Sequence, residues 1–164
     1  MTRRVVVALL VVVSVIFFFE ARLRRGEPSE EARAIRALST ITKAQSAYAS
    51  VAGKRGYAGS LATLFTPCPG TSGAFLPPGF LTDHTFTSAY EVLLRAKPDA
   101  LRVGSDCNGA PTYSGYYATA TPRATTPGAS RAFAIDERET IWSDSSGKAL
   151  TPPFTETGTV RPLR

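Results

Sequence analysis

From residue 30 to residue 51 apolar side chains return every three or four positions. In EEARAIRALSTITKAQSAYASV, Ile35, Leu38, Ile41, Gln45 and Tyr48 fall on one line, flanked by Ala34, Ala37, Ala44 and Val51. This is the period of an amphipathic helix with one greasy face. Arg33, Arg36, Thr40 and Lys43 fall largely off that face. Ser29 stands at the N-cap position, Glu30 and Glu31 suit the positive end of a helix, and Gly53 and Gly56 supply a stop. The pattern predicts a helix over 30–51. One helix cannot bury its own apolar stripe, so later segments must cover it.

Those later segments read as strands. FTSAYEVLLR (86–95) alternates in part, and 114–121, 131–136 and 140–143 follow as three more short strands. Residues 137–139 join the last two as a tight turn. SLATLF (60–65) reads as one short helical turn. The Pro/Gly-rich stretches 66–78 and 98–111 read as loops, and the Thr/Pro-rich tail 151–164 as extended chain. The expected fold class is α+β, in which the helix packs on a small antiparallel sheet of three or four strands. Ile35, Leu38, Ile41, Tyr48, Phe133 and Ile135 form the expected helix–sheet core.

Before the helix lies VVVALLVVVSVIFFF (5–19), fifteen residues without a charge. As a helix it would be about 22 Å long, against a hydrocarbon core of about 30 Å. Snorkelling arginines beyond it could extend its reach. We read it as an uncleaved signal-anchor helix, with Val5, Leu9, Val12, Ile16 and Phe19 as the membrane-anchor residues. A signal peptide removed by signal peptidase is the alternative, although no A-x-A site follows. The chain then divides into an anchor and juxtamembrane segment (1–28), an α+β head (29–150) and an extended tail (151–164).

EARAIRALSTITKAQSAYAS followed by GYAGSLATL resembles the helix-and-loop segment of a subgroup of type IV pilin-like proteins, a family that includes the pseudopilins of type II secretion. In that subgroup a run such as AIxxLRTINTAQxxY precedes GYAxxLxxL. RAFAIDERETIW resembles their terminal hairpin. The family pattern carries a glycine at the leader cleavage point and a glutamate early in the apolar run. Here no glycine precedes Val5, and Glu20 follows the run. The resemblance implies a single-pass inner-membrane protein with its head in the periplasm. It also implies a structural subunit of a pilus or secretion-type assembly, acting by helix packing and not by catalysis. Its expected partners are the membrane and other pilin-like subunits or their assembly apparatus. A membrane-anchored periplasmic binding module that never polymerises is the alternative.

Charge bears on this picture. Residues 1–55 hold ten Arg or Lys against four Asp or Glu, whereas residues 56–164 hold nine of each. The basic excess belongs to the stem, beside a membrane surface, and the neutral head is not expected to bind nucleic acid. Two cysteines, Cys68 and Cys107, lie in Pro/Gly-rich loops. In an exported chain an even pair suggests a disulfide, with two buried thiols the other reading.

Candidate chemistry is sparse. The chain contains no GxSxG, P-loop, HExxH or GxGxxG motif. Its one histidine, His84, adjoins Asp83 in what reads as a solvent-facing loop pair. Asp136, Glu137 and Glu139 could be offered to calcium but read better as a solvated turn. Asp106 and Asn108, flanking Cys107, read as turn-shaping residues. Tyr113, Tyr116 and Tyr117 read as sheet packing. No catalytic residue, metal, cofactor or small-molecule substrate is indicated.

Overall fold

The computed structural model describes residues 29–71, 73–78, 80, 89–123 and 128–163. The anchor residues Val5, Leu9, Val12, Ile16 and Phe19, the Asp83–His84 pair and the start of the expected first strand at Phe86 lie outside the described residues. No helix among the described residues is long and apolar enough to cross a membrane.

Helix α1 spans Glu30–Val51 and is about 33 Å long at 1.5 Å per residue. The Ser29 side chain accepts from Ala32 N at its start. The helix's buried face is Ala34, Ala37, Leu38, Ile41, Thr42, Ala44, Gln45 and Tyr48, while Ile35 packs at its margin, partly buried. Alanine fills three places where a longer side chain would hold the sheet away.

Its exit differs from the expected glycine stop. Lys54 and Arg55, not the glycines, adopt the left-handed conformation, with φ of 52° and 74°. The glycines serve close approach instead. A Cβ on Gly53 would meet the Gly56 carbonyl and the Tyr48 ring, and one on Gly56 would lie 2.6 Å from Thr112.

The expectation of one sheet of three or four strands is corrected: the head carries two antiparallel sheets, of three and five strands. The five-stranded sheet has β2 (Tyr90–Ala96), β5 (Tyr116–Pro122), β6 (Ala132–Asp136), β7 (Trp142–Asp144) and β8 (Val160–Pro162), paired in that order. The three-stranded sheet has β1 (Tyr57–Ala58), β4 (Pro111–Tyr113) and β3 (Arg102–Ser105) in that order. The reason is local. Strand β1 is two residues long, β4 begins with proline, and β3 carries a bulge between Arg102 and Gly104. None is long enough to show alternation, so 98–111 and 53–59 look like loop in the sequence. Strand β8 likewise falls in the tail expected to be extended, where it pairs Val160 with Asp144 and Pro162 with Trp142. The short helix α2 (Leu61–Phe65) forms behind Ser60, whose hydroxyl accepts from Thr63 N.

Helix α1 lies against β2, β5 and β6. Their inward residues are Tyr90, Val92 and Leu94, then Tyr116, Ala118 and Ala120, then Phe133 and Ile135, all within one apolar cluster with Leu38, Ile41 and Tyr48. The segment after α2 joins this core through Leu76 and Phe80, although its sequence shows no period. Phe75 meets Tyr48 edge-on at 5.3 Å between ring centroids, and Leu64 O accepts from the backbone N–H groups of Phe75 and Leu76. The opposite face of the five-stranded sheet is covered in part by the chain after β7. Ala132, Ala134 and Leu150 are buried there, apart from the main cluster.

Candidate functional site

Three places in the head gather polar or aromatic side chains on apolar supports. The first ties α1 to the small sheet. The Gln45 side chain is fully buried, yet satisfied: Oε1 accepts from Ala58 N at 2.9 Å and Nε2 donates to Ala58 O at 2.8 Å. The amide acts as a strand partner for β1. One turn on, the Tyr48 hydroxyl donates to Asp106 Oδ2 at 2.9 Å. Burial, and then the Asp106 carboxylate, raise the Tyr48 phenol well above its ordinary pKa. Asp106 Oδ1 accepts from Asn108 N and Ala110 N, both at 2.8 Å, so this buried carboxylate shapes the turn that presents Cys107. Cys107 is disulfide-bonded to Cys68, with the Cα atoms 5.6 Å apart, and Asn108 Nδ2 donates to Pro67 O beside the bridge.

The second place lies at the N-terminal end of α1. Arg131, just before β6, grips Glu31 with both nitrogens of its fork, Nε at 3.1 Å and Nη2 at 2.6 Å from Oε2. Hydrogen bonds from Arg131, opposed by partial burial, hold the Glu31 carboxyl below its ordinary range. The Arg131 guanidinium also stands 5.4 Å from the Phe133 ring centroid, and its carbonyl accepts from the Tyr90 hydroxyl. Burial, with a smaller contribution from Glu31, pushes the Tyr90 phenol up to about 12.

The third is a cleft of about 170 Å³ on the outer side of the five-stranded sheet, lined by Lys97, Asp136, Arg138, Thr140, Trp142, Pro153 and Phe154. The sheet register sets its floor, because Asp136 stands opposite Tyr117 and Trp142 opposite Ala134, on the face turned from α1. Lys97 Nζ lies 2.9 Å from Glu137 Oε1 and 3.9 Å from Asp136 Oδ2. Asp136 Oδ1 accepts from Arg138 N, and Glu139 takes the left-handed conformation with φ of 63°. The Trp142 and Phe154 rings stand 6.0 Å apart, tilted by 39°.

The residues expected to form the helix–sheet core, Ile35, Leu38, Ile41, Tyr48, Phe133 and Ile135, all lie in or against one cluster. The solvated-turn reading of 136–139 is corrected in part: Asp136 is buried beneath Lys97, whereas Glu139 is exposed. Tyr116 is in the core, Tyr117 is on the outer face and Tyr113 is in the small sheet. Among the described residues no group of three His, Cys, Asp or Glu side chains could hold a metal ion. The outer cleft was not singled out in the sequence. Its residues come from three separate stretches, and the one available signal was the 136–142 run, with two charges, a hydroxyl and an indole at alternate positions.

Comparison of the chain with protein-family models, with characterised proteins and with solved structures finds no match.

Proposed function

We propose that this chain is a membrane-tethered, pilin-like structural subunit of a type IV pilus or type II secretion-type assembly, acting by packing of its helix and not by catalysis. The observation that carries the reading is the placement of α1. An antiparallel sheet wraps its apolar face, and Ser29 caps it one residue beyond the charged segment that follows the uncharged run 5–19. A head built this way hangs on its helix, and tension or packing along that helix reaches the head directly.

Two further observations support it. The two sequence words that carry the resemblance are joined by a physical bond, since Gln45 of AQSAY holds Ala58 of GYA by both backbone groups. The Cys68–Cys107 disulfide suits an oxidising compartment outside the cytoplasm.

The test is expression of the full chain in a pilus-forming bacterial host, followed by mechanical shearing and N-terminal sequencing of each fraction. The reading expects the protein in sheared filaments and its loss from them when 5–19 are deleted. Recovery only as a membrane-bound monomer with an intact N-terminus supports the non-polymerising alternative, which the missing glycine and the late Glu20 favour. A cytosolic chain with both thiols reduced overturns both.

A further inference from the structure

The outer cleft has no part in a helix-packing role, yet its side chains are arranged as a receptor. We propose that it binds a single neutral sugar ring, the exposed pyranose unit of a glycan. Three features select that chemistry.

Charge comes first. The lining holds two cations, Lys97 and Arg138, and one anion, Asp136, while Glu137, just outside the lining, is committed to Lys97 at 2.9 Å and brings the local charge to balance. A site balanced in this way offers an ion no net attraction, whether the ion is a phosphate, a carboxylate or an ammonium.

Size comes second. About 170 Å³ lies below the roughly 300–1,000 Å³ of pockets that enclose a whole drug-sized ligand, so the cleft admits one ring and leaves the remainder outside.

The third is the pairing of a platform with alternating polar groups. Half-buried Trp142 and Phe154, with Pro153, supply an apolar wall suited to the C–H face of a ring. Around it, alternate residues of one hairpin supply an acceptor, a donor and a group that is both. The Asp136 side chain is only 8% exposed, and its Oδ2 has Lys97 at 3.9 Å, too far for a hydrogen bond. That oxygen is free to accept from a hydroxyl. Arg138 is exposed, and its guanidinium has no partner among the described residues. Thr140 adds a hydroxyl. Vicinal hydroxyls, each donor and acceptor at once, match such a rim, whereas a hydrocarbon would leave it unpaired.

Trp142 is the only tryptophan in the chain, so its fluorescence reports on this cleft alone. The full chain in detergent is titrated with the methyl glycosides of glucose, galactose and N-acetylglucosamine. A saturable change with at least one, at a Kd on the order of 1 to 10 mM, is the expected result for so small a ligand. Arg138→Ala, at an exposed position, weakens it about tenfold, which corresponds to one charged hydrogen bond. Phe154→Ala, which removes half of the wall, weakens it as well. No saturable response to any of the three glycosides overturns the proposal. So does an equal response to sodium acetate or phosphate at the same ionic strength, or undiminished binding by Arg138→Ala.

Discussion

Replacing Gln45 by methionine tests how α1 is fastened to the small sheet. Methionine keeps the length and most of the volume of the side chain and removes only its amide. Two groups then lose their partners, the N–H and the C=O of Ala58, a residue with 0% exposure. A buried polar group left unpaired costs about 1–3 kcal/mol, so the pair costs about 2–6 kcal/mol. Part returns, because the buried amide of glutamine is no longer desolvated, a term of about 1–2 kcal/mol. The net expectation is a loss of about 3 kcal/mol. At about 4 °C per kcal/mol for a domain of this size, Tm falls by about 12 °C. Thermal and urea unfolding followed by circular dichroism measures the loss, and amide exchange at Ala58 locates it. Gln45→Glu keeps an acceptor for Ala58 N, loses the donor to Ala58 O and buries a charge, so it destabilises at least as much. A Gln45→Met protein within about 0.5 kcal/mol of the parent, with Ala58 exchange unchanged, would refute the reasoning.

The Cys68–Cys107 bridge spans 39 residues of sequence, and chain-entropy reasoning assigns it about 4 kcal/mol. Cys68→Ser with Cys107→Ser therefore lowers the urea midpoint by that equivalent, and dithiothreitol lowers the parent but not the variant. The Glu31 carboxyl has a lower pKa folded than its ordinary 4.5, so its contribution is full above that value and is lost as pH falls through the folded one. Because the Arg131 side chain is 40% exposed, solvent limits the pair to about 1 kcal/mol. Glu31→Gln thus weakens the protein at pH 7 and flattens the acid limb of its stability profile, as acid titration of the unfolding midpoint would show. Glu139→Gly relieves a left-handed residue at φ of 63° and raises stability by up to about 1 kcal/mol. A lower Tm in that variant would contradict the strain argument.

The helix was legible because 22 residues repeat their pattern six times over, and Ser29 and two glutamates mark its start. The strands β5 and β6 were legible for a related reason, since each begins or ends at an aromatic or acidic boundary beside a turn. The three-stranded sheet was not. A two-residue strand, a proline and a bulged Val103 leave no period to find, and the sheet exists because Gln45 holds Ala58 while Ala58 and Gly56 lie against Thr112, 67 residues after Gln45 in the sequence. Gln45 shows how one residue can be read correctly for position and incompletely for role. Its place on the greasy face was evident, but nothing local says that a strand will come to its amide. The outer cleft failed for the same reason, because Pro153 and Phe154 reach Trp142 only once β7 has turned the chain back.

Arg131 has a mechanical consequence. It precedes β6, the middle of five strands, which is laddered to β5 on one side and β7 on the other. A pull arriving through the first turn of α1 therefore passes by way of Glu31 into the centre of the sheet, not into a border strand that could unzip one rung at a time. Rupture would begin at that ion pair and then require α1 to leave β2, β5 and β6 together, so the fold should resist a tug on the first turn of α1 better than one applied at β8.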